Sequence, residues 1–111
     1  MAYDEHLAQR VREVVADATG GAFSEKRMFG GLAFLVAGHM SVAVSREGGL
    51  LLRVDPAETE TLLAKPHAGP FAMRGKPVDG WVRVEADGVA TRRQLERWVA
   101  RGVGHARSLV G

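Results

Sequence analysis

Residues 28–54 read MFGGLAFLVAGHMSVAVSREGGLLLRV, and this stretch decides the fold. Four apolar runs follow one another: Met28-Phe29, Leu32 to Val36, Met40 to Val44 and Leu50 to Val54. Between them lie Gly30-Gly31, Gly38-His39 and Arg46-Glu47-Gly48-Gly49. Separators this short allow hairpins and leave no room for a crossover helix. The spacing therefore predicts an antiparallel meander. Within it Met40, Val42 and Val44 alternate with Ser41, Ala43 and Ser45, the pattern of a strand with one buried face.

On either side the period changes from strand to helix. From Asp4 to about Thr19, the residues Leu7, Val11, Val14, Val15 and Ala18 share one helical face, and Gly20-Gly21 ends the pattern. Asp55-Pro56-Ala57-Glu58 is a helix start with a cap, a proline at the first position and a capping-box partner. That helix should run to about Lys65, before Pro66. Phe71 to Arg74 and Trp81 to Val84 then read as strands joined by a turn-rich loop, 75–80. A last helix starts at Thr91 with Gln94 as capping partner and carries Leu95, Trp98, Val99, Val103 and Ala106 as its apolar stripe. Gly102 and Gly104 interrupt it, each weakening a helix by about 1 kcal/mol relative to Ala. The expected fold is α+β: two layers, an antiparallel sheet of five to six strands, and helices at the start, middle and end.

The chain has 111 residues, the size of one domain, and one domain over residues 1–111 is expected. It has no cysteine, which excludes disulfide staples, iron–sulfur clusters and a thiol nucleophile. Lys and Arg number 15 against 13 Asp and Glu, too even to declare a nucleic-acid binder by total charge. The distribution says more. Residues 1–25 carry a net −3, and residues 91–111 carry +4 through Arg92, Arg93, Arg97, Arg101 and Arg107 against Glu96. The acidic N-terminus lacks a signal-peptide pattern and the longest apolar run, Leu32 to Ala37, cannot span a membrane. A cytoplasmic chain with no membrane partner is the expectation.

Lys26-Arg27-Met28-Phe29-Gly30-Gly31-Leu32-Ala33-Phe34 resembles the signature of the TfoX/Sxy N-terminal domain. Gly38-His39-Met40, Met73-Arg74-Gly75-Lys76-Pro77 with Gly80-Trp81-Val82, and the closing Trp98-Val99 and Ala106-Arg107-Ser108-Leu109 extend the resemblance over nearly the whole chain. It implies a two-layer α+β fold and a bacterial regulator related to natural competence. In the named members this domain precedes a helix-hairpin-helix domain, so the chain is expected to be a stand-alone member. The resemblance brings no catalytic residues.

The candidate binding residues are Lys26, Arg27, Met28, Phe29, Gly30 and Gly31 in one turn, and Arg74, Gly75 and Lys76 in another. Each turn sets two cations beside glycine backbone, which suits an anion; the alternative is solvated charge beside turn glycines. Whether the two turns converge is open at this stage. His67, in a proline-flanked loop, and Arg93, Arg97 and Arg101 on the last helix are further candidates. The four histidines show no metal spacing, no serine lies in a nucleophile elbow, and no paired carboxylates face one another. No metal, no cofactor and no catalytic constellation are expected. Phe29, Phe34, Phe71, Trp81 and Trp98 could stack bases if exposed, and most of them are expected in the core. Three functions remain open: a non-enzymatic regulatory or protein-interaction module, self-associating or not; a nucleic-acid-binding accessory domain using the Arg-rich last helix; and a small anion- or ligand-binding protein.

Overall fold

The computed structural model describes residues 3–28 and 30–109. Helix α1 (Glu5–Thr19) starts at Asp4, whose carboxylate accepts from the His6 and Leu7 N–H groups at 2.9 and 3.1 Å. Gly20 ends it in the left-handed region at φ 65°, where glycine carries no penalty. The meander follows: β1 (Ser24–Met28), β2 (Gly31–Val36), β3 (His39–Val44) and β4 (Leu50–Arg53). A 3-10 turn, Pro56–Glu58, leads into the short α2 (Thr59–Leu63). The hairpin β5 (Ala68–Met73) and β6 (Lys76–Val84), a second 3-10 turn at Ala86–Val89, and α3 (Arg92–Ser108) complete the chain. The six strands form one sheet in the order β1-β2-β3-β4-β6-β5, every neighbour antiparallel. This is the expected α+β fold.

The second hairpin is longer than its sequence suggests. The stretch read as a loop, 75–80, is mostly strand, and the turn is only Arg74-Gly75. Both residues have positive φ, 54° and 80°, the type I′ requirement for a two-residue hairpin loop. The middle helix is also shorter than expected. Asp55 does cap, accepting from the Ala57 N–H at 2.9 Å, but Glu58 points instead toward Arg101, 4.0 Å away.

One core holds the layers together. The sheet contributes Leu32, Phe34, Val42, Val44, Leu50, Leu52, Val82 and Val84, and the helices cover that face with Leu7, Val11, Val15, Leu62, Leu95, Val99 and Val103. Each such side chain, fully buried, contributes about 1.5–3 kcal/mol. The other sheet face carries a smaller cluster of Ala33, Met40, Ala43 and Leu51, packed against Met28, Leu35, Phe71 and Trp81. Strand β3 is therefore buried on both faces, not one. The alternation also breaks, since Met40 joins the second cluster while Val42 and Val44 join the first. The register against β2 shifts here: Phe34 faces Val42 and Leu35 faces Met40, so β3 carries one extra residue, a bulge at Ser41, and its alternation changes face there. Ser41 is buried, its hydroxyl donating to the Phe34 carbonyl at 2.8 Å.

The capping box of α3 forms as the sequence predicts. The Thr91 hydroxyl accepts from the Gln94 N–H at 3.1 Å and the Gln94 side chain accepts from the Thr91 N–H at 2.9 Å. The two glycines of α3 have opposite surroundings. A Cβ on Gly102 would overlap the Ser41 carbonyl oxygen, whereas one on Gly104 meets nothing within 4 Å. Gly104→Ala is expected to stabilise the protein by about 0.5–1 kcal/mol through helix propensity. Gly102→Ala gains the same propensity but forces α3 off β3, for a net loss of about 1–3 kcal/mol. Urea denaturation of the two variants checks both signs.

Candidate functional site

The end of α2, the loop into β5 and the outer side of α3 enclose a cleft of about 590 Å³. Lys65, Pro66 and His67 form one wall. Gln94, Arg97, Trp98, Ala100 and Arg101 form the other, and Gly88 closes the end. Three fixed cations and an imidazole thus line one concavity, and no carboxylate does. Trp98 is 8 % exposed and belongs mainly to the core. Glu58 and Glu85 stand outside the lining, 4.0 Å from Arg101 and 3.7 Å from His67. Separations this long between exposed groups contribute little.

The cleft depends on backbone geometry unusual for its residues. His67 has φ 67°, a left-handed conformation that non-glycine residues seldom adopt. Its carbonyl accepts the Glu85 N–H at 2.9 Å, which fixes the loop against the end of β6. The imidazole stem lies on Gly88, where a Cβ would come within 2.7 Å of the His67 Cβ and 2.8 Å of the Val84 Cγ1.

The two glycine-flanked cationic turns do not converge. β1 and β5 are opposite edges of the sheet, and strand direction puts the Gly30-Gly31 turn and the Arg74-Gly75 turn at opposite ends. Lys26 and Arg27 are successive strand residues, so they point to opposite sheet faces. Gly31 is required for packing, because a Cβ there would overlap the Val44 carbonyl oxygen. Met28 and Gly31 border a crevice of only about 50 Å³ with Phe71 and Arg83. Arg74, Gly75 and Lys76 are exposed at a hairpin tip. Phe29 lies outside the described residues. Of the sequence candidates, His67, Arg97 and Arg101 come together, and Arg93 sits one helical turn further along the same stripe of α3. Lys65 and Gly88 were not anticipated. Nothing local marks them, since they join the site through contacts distant in sequence.

The fold accords with the sequence motifs. The TfoX N-terminal domain, as a sequence family, matches residues 13–106. The chain belongs to that family. No curated protein and no solved structure matches it. In this TfoX N-terminal domain, no three His, Asp or Glu side chains gather as a metal site among the described residues, and no described helix is long and apolar enough to cross a membrane.

The acidic start of the TfoX domain pairs with only part of its basic end. Arg92 reaches Asp17 at 2.6 Å and Glu96 at 3.1 Å, and Arg107 donates to the Ala18 carbonyl at 3.0 Å. Arg12 grips Glu25 with two bonds of 2.5 and 2.9 Å. Arg93 and Arg97 form no ion pair among the described residues. The hydrogen bonds from Arg12 hold the Glu25 carboxyl below the usual carboxylate range, and they raise Arg12 in turn. A lowered folded-state pKa gives stability that is present above the unfolded value and lost as pH falls through the folded one. Glu25→Gln is therefore expected to lower stability at pH 7 by less than about 1 kcal/mol, both groups being partly solvated. The deficit should shrink on acidification and vanish once the pH falls below the lowered folded-state pKa of the native carboxyl. Thermal melts of both proteins across that range check it.

Proposed function

We propose that this TfoX N-terminal domain is a non-enzymatic regulatory module that docks an acidic protein partner on α3. The observation that carries this reading is the row Arg93, Arg97 and Arg101. These residues recur every fourth position, so they rise in steps of about 6 Å along one exposed stripe. All three are exposed, and among the described residues their one ion pair is the 4.0 Å contact of Arg101 with Glu58. Acids elsewhere in the fold are engaged by Arg12, Arg83 and Arg92 instead. An open row of guanidinium groups favours planar, bidentate recognition of carboxylates.

The hydroxyl groups support a binding role over nucleophilic catalysis. Ser41 donates to the Phe34 carbonyl and Ser108 to the His105 carbonyl, while Ser45 accepts from Arg83. Among the described residues, none of these three hydroxyls is hydrogen-bonded to an imidazole.

Nucleic acid is the second reading, favoured by the same regular arginine spacing. A triple charge reversal, Arg93→Glu with Arg97→Glu and Arg101→Glu, separates the outcomes. Cross-linked capture from the source cells is expected to recover an acidic protein with the native chain and to lose it with the reversed one. Capture that survives the reversal defeats the docking reading. If nucleic acid is recovered instead, retardation in gels should weaken with salt at a slope near −3 on a log–log plot, about three phosphates.

A further inference from the structure

The geometry points to the cleft beside α3 as a binding site for a small phosphate monoester, a ligand distinct from any protein docked on the arginine row. Its volume, about 590 Å³, falls within the range of small-molecule sites. Its cations come from two separate elements, Lys65 at the end of α2 and Arg97 with Arg101 on α3. Bringing three like charges to one concavity raises their mutual repulsion, and an anion between them relieves it.

The backbone of the loop wall is tied in place by its own hydrogen bonds. The Lys65 N–H donates to the Leu62 carbonyl at 3.1 Å, and the Lys65 carbonyl accepts the Ala68 N–H at 3.3 Å. The next two residues turn sharply, with His67 held in its left-handed conformation on the bare Gly88. Backbone held in a sparsely populated region concentrates where binding needs a set geometry.

Phosphate suits these groups better than a single carboxylate. Arg97 and Arg101 lie one turn apart and offer two planar forks to the oxygens of one tetrahedral group. Lys65 adds a point charge from the opposite wall. A phosphate monoester carries −1.5 to −2 at neutral pH, which matches three cations of which Arg101 is partly answered by Glu58. Pro66, Ala100 and the edge of Trp98 then leave an apolar surface for the body that bears the phosphate.

Phenyl phosphate is the probe that tests this, because it joins a monoester to a flat apolar ring. The chain has two tryptophans, and Trp81 lies on the opposite sheet face against Phe71. In a Trp81→Phe background the indole N–H resonance of Trp98 reports on the cleft alone. Phenyl phosphate is expected to shift that signal saturably, and phenol at the same concentration is expected to leave it in place. Arg97→Gln and Arg101→Gln should each weaken the affinity about tenfold or more. Arg74→Gln, at the far hairpin tip, should not change it. Gly88→Ala should weaken it by displacing His67. Melting temperatures show which variants remain folded, and the exposed arginine variants carry the test if Gly88→Ala does not fold. A shift that does not saturate, equal binding of phenol, or affinity indifferent to both arginines overturns the site. The titration uses the free protein, so its result stands whether or not capture of an acidic partner succeeds.

Discussion

Helix α3 meets β3 backbone to backbone, where Gly102 rests on the Ser41 carbonyl. The rest of the arrangement depends on it. A Cβ at this position would overlap that oxygen, so the missing side chain is what lets the two backbones touch. Leu95, Val99 and Val103 then enter the same core as Val42, Val44 and Leu52. The Ser41 side chain does not compete for that space, because its hydroxyl is tied to the Phe34 carbonyl at the bulge. With the apolar stripe of α3 seated this way, helical periodicity leaves Arg93, Arg97 and Arg101 facing outward. The seat of the helix and the exposure of the arginine row are one constraint.

Much of this was legible in the sequence, for local reasons. Short glycine-rich separators fix hairpins, and the Thr91–Gln94 box forms because both partners lie within one turn. The meander and the caps needed no distant contact. The errors arose where tertiary contact overrides a local pattern. Residues 76–80 look like loop because Pro77, Asp79 and Gly80 are poor strand formers. They are held as strand by pairing with β5, in which Met73 faces Lys76 and Ala72 faces Pro77. Met40 keeps the strand period in sequence and loses it in space, because Ser41 is a bulge that only the pairing with β2 reveals.

The candidate site was legible only in fragments. His67, Arg97 and Arg101 each stood out by type, but nothing in their spacing joins a loop after α2 to a helix thirty residues later. The two motif turns had the reverse fate. Their cations are conspicuous in sequence, yet the sheet order sends them to opposite edges. Their glycines serve geometry: Gly31 admits the Val44 carbonyl, and Gly75 completes a two-residue turn. A motif can thus identify the family through residues that build the fold, while a binding surface is assembled from residues the motif does not contain.

Surface charge left over from folding is usually scattered, and Lys26, Arg74 and Lys76 behave that way on an edge and a hairpin tip. The cations at the cleft differ in two respects. They surround a concavity, where low-dielectric walls focus the field and water screens it less than on a convex surface. They also remain largely unanswered although the chain has acids to offer. Asp17 and Glu96 both go to Arg92, and Glu25 goes to Arg12, while Arg97 and Lys65 receive none. Solvation alone explains a charged helix face. It does not explain a carboxylate-free hollow whose wall is held by a left-handed histidine packed on a required glycine. That combination gathers positive charge that Glu58 and Glu85, at 4.0 and 3.7 Å, answer only in part, which is what an anion from outside the chain would complete.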